Sequence, residues 1–287
     1  MSQHLKALTF CLILMLPALS VSLAQGRTSR NGWIILDLVA GEVSRSSQEK
    51  TPATKEFGQR RADNQKIGFG GELDFNSRYI WRGIPLSDQP VMQPSAWISG
   101  FGFEFTAWNN INLTDTSENV HLHTTNLNLT YSRDWKKVRI EPGLDAYLNR
   151  PPTGFDDPNT METSLRLSYP VGALRVFTSH AFDLIAYRGS YFGEAGLAYE
   201  GRLTKRTIPA VSIQAGWASS TFNEMYVGLD KRAFNFVGAD CSLTHYLRPH
   251  LYFRPHLEFS TIADRQLREY LDSRTSTNFG LAMGVDF

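Results

Sequence analysis

From Ile67 onward the segment IGFGGELDFNSRYIW alternates: Ile67, Phe69, Gly71, Leu73, Phe75, Tyr79 and Trp81 share one parity, and Glu72, Asp74, Asn76 and Arg78 hold the other. An extended chain points successive side chains to opposite faces, so such a stretch makes a strand with one greasy side and one charged side. The pattern returns in FGFEFTAWN, NLNLTYS, VRIEPGLDAYL, METSLRLSY, GSYFGEAGLAYE, PAVSIQAGW, FVGADCSLTHY and LYFRPHLEFSTI, and it ends on TNFGLAMGVDF. Weaker segments at 91–99 and 173–182 bring the total to about twelve strands. The 18 Phe, 11 Tyr and 22 Gly suit strands and tight turns, and no helical heptads compete with this reading.

The links between these segments alternate in length. Short ones fall near 99–100, 134–136, 170–172, 201–206 and 247–249, while longer polar loops fill 82–90, 110–119, 150–159, 219–232 and 263–275, with an intermediate link at 183–188. Short turns on one rim, long loops on the other and an even strand number predict an all-β, transmembrane, antiparallel up-and-down β-barrel of the bacterial outer-membrane type over residues 66–287. Both ends of the barrel then lie on the short-turn, periplasmic side.

The placement of aromatics and charges selects the solvent. Tyr79, Trp81, Tyr191 and Trp217 fall near the long-loop rim on the apolar face, and Tyr131, Tyr169, Tyr199 and Phe287 near the short-turn rim on that face, which predicts two girdles at lipid headgroup level. The other face carries Glu72, Asp74, Arg78, Glu104, Arg139, Glu141, Asp145, Glu162, Arg166, Glu194, Asp240, Arg254 and Glu258, the expected lumen lining. An unpaired charge in a dry protein core costs several kcal/mol, so a wet or salt-bridged lumen suits this set better than the apolar interior of a soluble barrel. His256, between Arg254 and Glu258, joins that network, and Trp108 falls on the lumen side. Pro142, Pro209 and Pro255 interrupt the strands and call for bulges. Cys241 is expected to face lipid as a small hydrophobe.

The terminal alternation has a physical purpose in such a barrel. The last strand must pair with the first, because an open edge in lipid leaves backbone groups that each cost several kcal/mol. Phe279, Leu281, Met283, Val285 and Phe287 form its greasy side. Ending on Phe287, this strand resembles the signal read by the outer-membrane assembly machinery, an expected partner along with outer-membrane lipid.

Upstream, MSQHLKALTFCLILMLPALSVSLAQ has Lys6, an apolar run to about Leu19, and Ser22 and Ala24 placed for cleavage, so residues 1–24 read as a signal peptide for export. Residues 25–65 read as a polar, flexible periplasmic segment containing one apolar island at 33–40. With Cys11 in the leader, Cys241 is left alone and no intramolecular disulfide framework is possible. A net charge of +1 offers no electrostatic argument for nucleic acid.

Enzymatic chemistry is not signalled. There is no His-x-Ser pair, no Gly-x-Ser-x-Gly elbow, no His-Glu-x-x-His helix and no phosphate-binding glycine loop. His121 and His123 share a strand face, but two ligands are too few for a metal site. Neither a metal nor a cofactor is expected.

The stretch SRYIWRGIPLSDQPVMQPSAWISGFGFEFTAWNN resembles the opening of the proteobacterial outer-membrane porin family known as Gcw_chp or TorF, through Ser77, Tyr79, Arg82, Gly83, Ser87, Asp88, Pro90 and Gln93, then Trp108 and Asn109. TMETSLRLSY and GSYFGEAGLAYE resemble that family's Thr-x-Glu and Gly-Ser-Tyr strands, while Arg78 stands where an acidic residue is common. The resemblance implies an outer-membrane barrel and a channel, without naming a substrate. Within RGIPLSDQP, Gly83, Pro85 and Pro90 suit a fixed loop, and Arg82 and Asp88 are placed to pair across it.

Twelve strands about 4.8 Å apart, tilted by about 40°, give a backbone radius of roughly 12 Å, enough for a narrow channel. The leading expectation is passive diffusion of small hydrophilic solutes, and the acid excess of the lining favours cations or neutral solutes. The alternative is a closed structural or adhesive barrel, with an outer-membrane lipid hydrolase a distant third.

Overall fold

The computed structural model describes residues 67–114, 122–150 and 158–287. The leader, the polar segment with its apolar island, and the side chains of His121 and His123 lie outside the described residues.

Twelve long strands form the wall: β1 (Gly68–Asn76), β4 (Val91–Gly100), β5 (Phe103–Asn112), β6 (Leu122–Tyr131), β8 (Val138–Asn149), β9 (Thr160–Val171), β10 (Leu174–Asp183), β11 (Tyr191–Glu200), β12 (Thr207–Ala218), β13 (Ala233–Arg248), β14 (Leu251–Ile262) and β15 (Thr275–Asp286). Each pairs antiparallel with its neighbours in chain order, β6 with β8, and β1 with β15, so the sheet closes. At the seam Glu72 faces Gly284 and Phe75 faces Leu281 in register, and Phe69 and Phe287 exchange backbone hydrogen bonds of 3.2 and 2.9 Å. The small strand β7 (Arg133–Trp135) only extends the turn before β8. Two helices, α1 (Ser220–Val227) and α2 (Leu267–Tyr270), sit in the loops after β12 and β14.

The alternation predicted from sequence sets which way each strand faces. On β15, Phe279, Leu281 and Met283 are exposed on the outside, whereas Ser276, Asn278 and Ala282 are buried inside. Ile67, Phe69, Leu73 and Phe75 likewise lie exposed on the outer surface, and Glu72, Asp74 and Asn76 are buried in the lumen. Cys241 shares the outward parity of the exposed Val237, but sits in register between Val211 and Leu257 and is buried rather than open.

Prolines disturb the wall less than expected. Pro142 stays opposite Leu165, Pro209 opposite Leu243 and Pro255 opposite Leu281, and the register shifts fall elsewhere, at Asn110/Ile111, Gly216/Trp217 and Tyr246/Arg248. A proline removes one ladder donor and needs no extra residue in the strand, so the register runs through it.

One departure shapes the interior. The first strand ends at Asn76 instead of running on to Trp81, and the chain turns inward as a hairpin of β2 (Tyr79–Trp81) and β3 (Ile84–Ser87). Tyr79 and Trp81, expected on the outer girdle, are therefore buried inside the barrel. Two local features drive the turn. Arg82 and Gly83 have φ of 49° and 81°, the double positive φ of a tight two-residue hairpin turn, and Ile80 breaks the alternation by making the segment apolar on both faces. Only glycine fits at position 83, because a Cβ there would collide with the ring of Phe236.

Candidate functional site

Inward-facing side chains sort into three levels between the two rims. At the long-loop end the hairpin packs against wall and loops in one apolar cluster: Trp81 and Ile84 meet Phe222 and Tyr226 of α1, with Tyr147, Phe192, Phe236 and Ile262 from the wall. The ring centroids of Trp81 and Tyr226 are 4.8 Å apart, and those of Tyr79 and Trp108 are 6.1 Å apart. Helix α1 is set by local sequence: the Ser219 side chain accepts from the Phe222 amide at its start, and Gly228 closes it at φ 83°.

Arg82 lies at the centre of this cluster. Its Nη1 and Nη2 donate to Glu162 Oε1 and Oε2 at 3.0 and 2.6 Å, and Tyr147 Oη donates to Glu162 Oε2 at 3.1 Å. The guanidinium also stands 4.5 Å from the Trp81 ring centroid and 4.8 Å from that of Phe192. Both partners are essentially fully buried, at 1% and 3% side-chain exposure. Arg82 therefore pairs with Glu162 of β9 and not with Asp88, which instead meets Arg78 at 3.4 Å on the rim. Arg78 belongs to the first loop and not to the lumen wall, because β1 has already ended. Ser87, also beyond the interior, hydrogen-bonds Gln89 locally.

Below the hairpin lies a polar belt. Asn278 donates to Asn76, Asn76 to Gln93 and Gln93 to Asn110, at 2.8, 3.2 and 3.1 Å, an amide chain across four strands. His256 Nε2 lies 2.9 Å from Asp74 Oδ1, and Gln214 and Ser212 donate to Asp240 Oδ2 at 2.6 and 3.1 Å. Asn128 donates to Asp145 at 2.9 Å, and Glu194 and Glu258 are also buried in the lumen.

Towards the short-turn end, guanidiniums take over. Arg254 grips Glu72 at 2.7 and 2.8 Å, and Tyr252 donates to the same carboxylate at 2.9 Å. On the β8–β10 wall, Arg139 Nε donates to Glu141 Oε1 at 2.7 Å, Arg166 lies 4.4 Å from the Phe177 ring centroid, and Arg175 Nη1 donates to Ser168 Oγ at 2.7 Å. Glu104 also faces inward here, half-buried, opposite Thr130. Arg175 and Tyr147 were not singled out by sequence. Arg175 sits in a weakly patterned strand, and Tyr147 resembles any girdle tyrosine until the β8 register turns it inward.

A polar network also occupies the outer surface near the long-loop rim. Trp217 Nε1 donates to Tyr191 Oη at 3.0 Å, Tyr191 Oη lies 2.9 Å from His180 Nδ1, and His180 Nε2 lies 3.1 Å from Thr178 Oγ1, which is in turn 2.9 Å from the Glu194 carbonyl. Thr178 has one hydrogen to give, either to that carbonyl or to His180, and the tautomer of the ring follows from which one receives it.

The molecule is thus a closed twelve-stranded antiparallel barrel with an apolar outer band, a charged lumen and a loop folded into one end. No family model matches the chain, and no curated protein matches it. Among solved structures it is similar to an outer-membrane channel from Pseudomonas putida F1, at 9% identity over 82% of this chain and 100% of that one, with a TM-score of 0.47. It is also similar to the NanC porin, at 13% identity over 77% and 99% with a TM-score of 0.44, and to outer membrane phospholipase A from Escherichia coli, at 13% over 88% and 96% with a TM-score of 0.40.

Proposed function

We propose that this chain is an outer-membrane β-barrel of the Gcw_chp or TorF type, a channel for small hydrophilic solutes that is stoppered in this conformation by its first loop. The apolar outer band supports the membrane setting, because exposed Phe, Leu and Ile around a whole barrel find their complement in hydrocarbon. In that setting residues 1–24 direct export, and the strand ending at Phe287 is what the assembly machinery reads.

One observation carries the channel reading. The stopper is a separate two-stranded sheet whose strands pair only with each other, so it can leave the lumen without breaking a wall ladder. A second reading, a permanently closed structural or adhesive barrel, draws on the complete burial of the Arg82–Glu162 pair, since a buried ion pair resists separation.

Planar-bilayer conductance tests the two. The full chain is compared with a variant in which residues 79–87 are replaced by a short Gly-Ser turn, both checked for a folded barrel by circular dichroism. We expect low or intermittent conductance from the natural chain and a larger, steady one from the variant. A folded variant that never conducts overturns the channel and leaves the closed barrel.

A further inference from the structure

We infer that the short-turn mouth of the lumen is a binding vestibule for small anions bearing a carboxylate or phosphate, held by Arg139, Arg166 and Arg175. This deepens the channel reading and rests on it for transport, though not for binding. It also reverses the preference for cations that a plain count of lumen acids gives.

That count misleads because many of the acids already have partners. Glu162 is held by Arg82, Glu72 by Arg254, Asp74 by His256, and Asp145 by asparagine amides. What remains near the short-turn end is set by three adjacent strands. Arg139 on β8 is in register with Ser168 on β9, and Ser168 in turn with Phe177 on β10. Arg175 reaches that same Ser168 hydroxyl, Arg166 lies over the face of that same Phe177, and Glu141 is in register with Arg166. The three guanidiniums therefore converge on one patch of wall.

Among the described residues, Glu141 and Asp134 lie against that patch, with Glu104 on β5 and Glu200 at the end of β11 further round the same rim. Glu141 Oε1 already accepts from Arg139 Nε at 2.7 Å and Ser132 Oγ at 3.0 Å, and Asp134 lies at the turn, in register with Arg139. The flanking turns add further cations: Lys136 and Lys137 follow Asp134 at 132–137, and Arg202, Lys205 and Arg206 fill 201–206 without an acid. A mouth in which cations outnumber acids concentrates anions, and planar guanidiniums are the side chains that grip carboxylate and phosphate with paired hydrogen bonds. The cluster faces an enclosed lumen, so its ligand is a soluble anion and not a lipid headgroup.

Calorimetric titration of the detergent-solubilised full chain with inorganic phosphate, at constant ionic strength, reads binding. A tenfold KCl gradient across bilayers carrying the stopper-less barrel reads selectivity. We expect saturable phosphate binding and a reversal potential of anion-selective sign. An Arg166→Gln/Arg175→Gln double variant should lose about tenfold or more in affinity, while Arg166→Lys/Arg175→Lys keeps the charge, retains part of the binding and shows that the site tolerates substitution. Binding that survives the glutamine pair unchanged, or a cation-selective reversal potential, overturns the vestibule. Phosphate binding lost in the glutamine pair, combined with a barrel that never conducts, upholds the vestibule and removes the channel.

Discussion

The two ends of the lumen are walled by the same twelve strands and the same inward parity, yet they are filled in opposite ways. At the long-loop end a hairpin and a helix fold in, and the interior is packed with aromatic rings around one fully buried ion pair. At the short-turn end the turns are too short to reach inward, so arginines and their partners line a mouth where Arg139 and Arg254 keep 19% and 13% of their side-chain surface. The wall does not dictate the difference. Loop length does, because only the long links carry enough chain to place a folded element inside a barrel whose own lining is polar.

If this contrast is right, the same chemical change should cost far more at one end than at the other. The largest effect belongs to Glu162→Gln, which leaves the Arg82 guanidinium charged and buried without its carboxylate. We expect chemical denaturation in detergent to show a loss of about 3–5 kcal/mol, or an expelled hairpin with raised conductance. Next comes Gly83→Ala, which demands a positive φ of a residue with a Cβ and drives it into Phe236. A loss of about 1–3 kcal/mol is expected, with tryptophan fluorescence reporting Trp81 moving into a wetter site. In the short-turn half, Arg254→Gln also strips a partner from a carboxylate, Glu72, but solvent is near and Tyr252 remains, so about 1–2 kcal/mol is expected. Equal costs for the Glu162 and Arg254 substitutions would erase the contrast.

The smallest effect concerns a loop outside the wall. Partial burial works against the charge of Asp264, but Lys231 at 2.6 Å and the amides of Leu267 and Gln266 outweigh it and hold the carboxyl below its usual range. A carboxyl depressed by folding contributes stability above its unfolded value, near 3.9, and loses it as pH falls through the folded value. Hydrogen exchange should therefore show reduced protection of the α2 amides under strongly acidic conditions. Asp264→Asn should lack that protection at neutral pH.

Much of the wall was legible in sequence because period-two alternation and loop length are local signals. Phe279, Leu281 and Met283 needed only their parity to be placed outside, and Glu72 and Glu258 only theirs to be placed inside. The hairpin was not legible as an insertion, since alternation cannot show where a strand leaves the wall. Arg82–Gly83 as a tight turn, with Ile80 and Ile84 apolar on the supposed charged face, was the signal available. Helix α1 had its own, Ser219 and Gly228 bracketing Phe222 and Tyr226 at helical spacing. Charge pairing was beyond reach: Arg82 and Glu162 lie 80 residues apart, and only the closed register brings β1's loop over β9. For the same reason a bare count of acids says little about the charge that the mouth presents.

The seam carries a consequence for timing. Asn76 hydrogen-bonds Asn278 across 202 residues of chain, and β1 has no partner on that side until β15 exists. Contacts so remote in sequence form late and slowly. A newly made chain must therefore wait with one raw margin exposed until its last strand is in place.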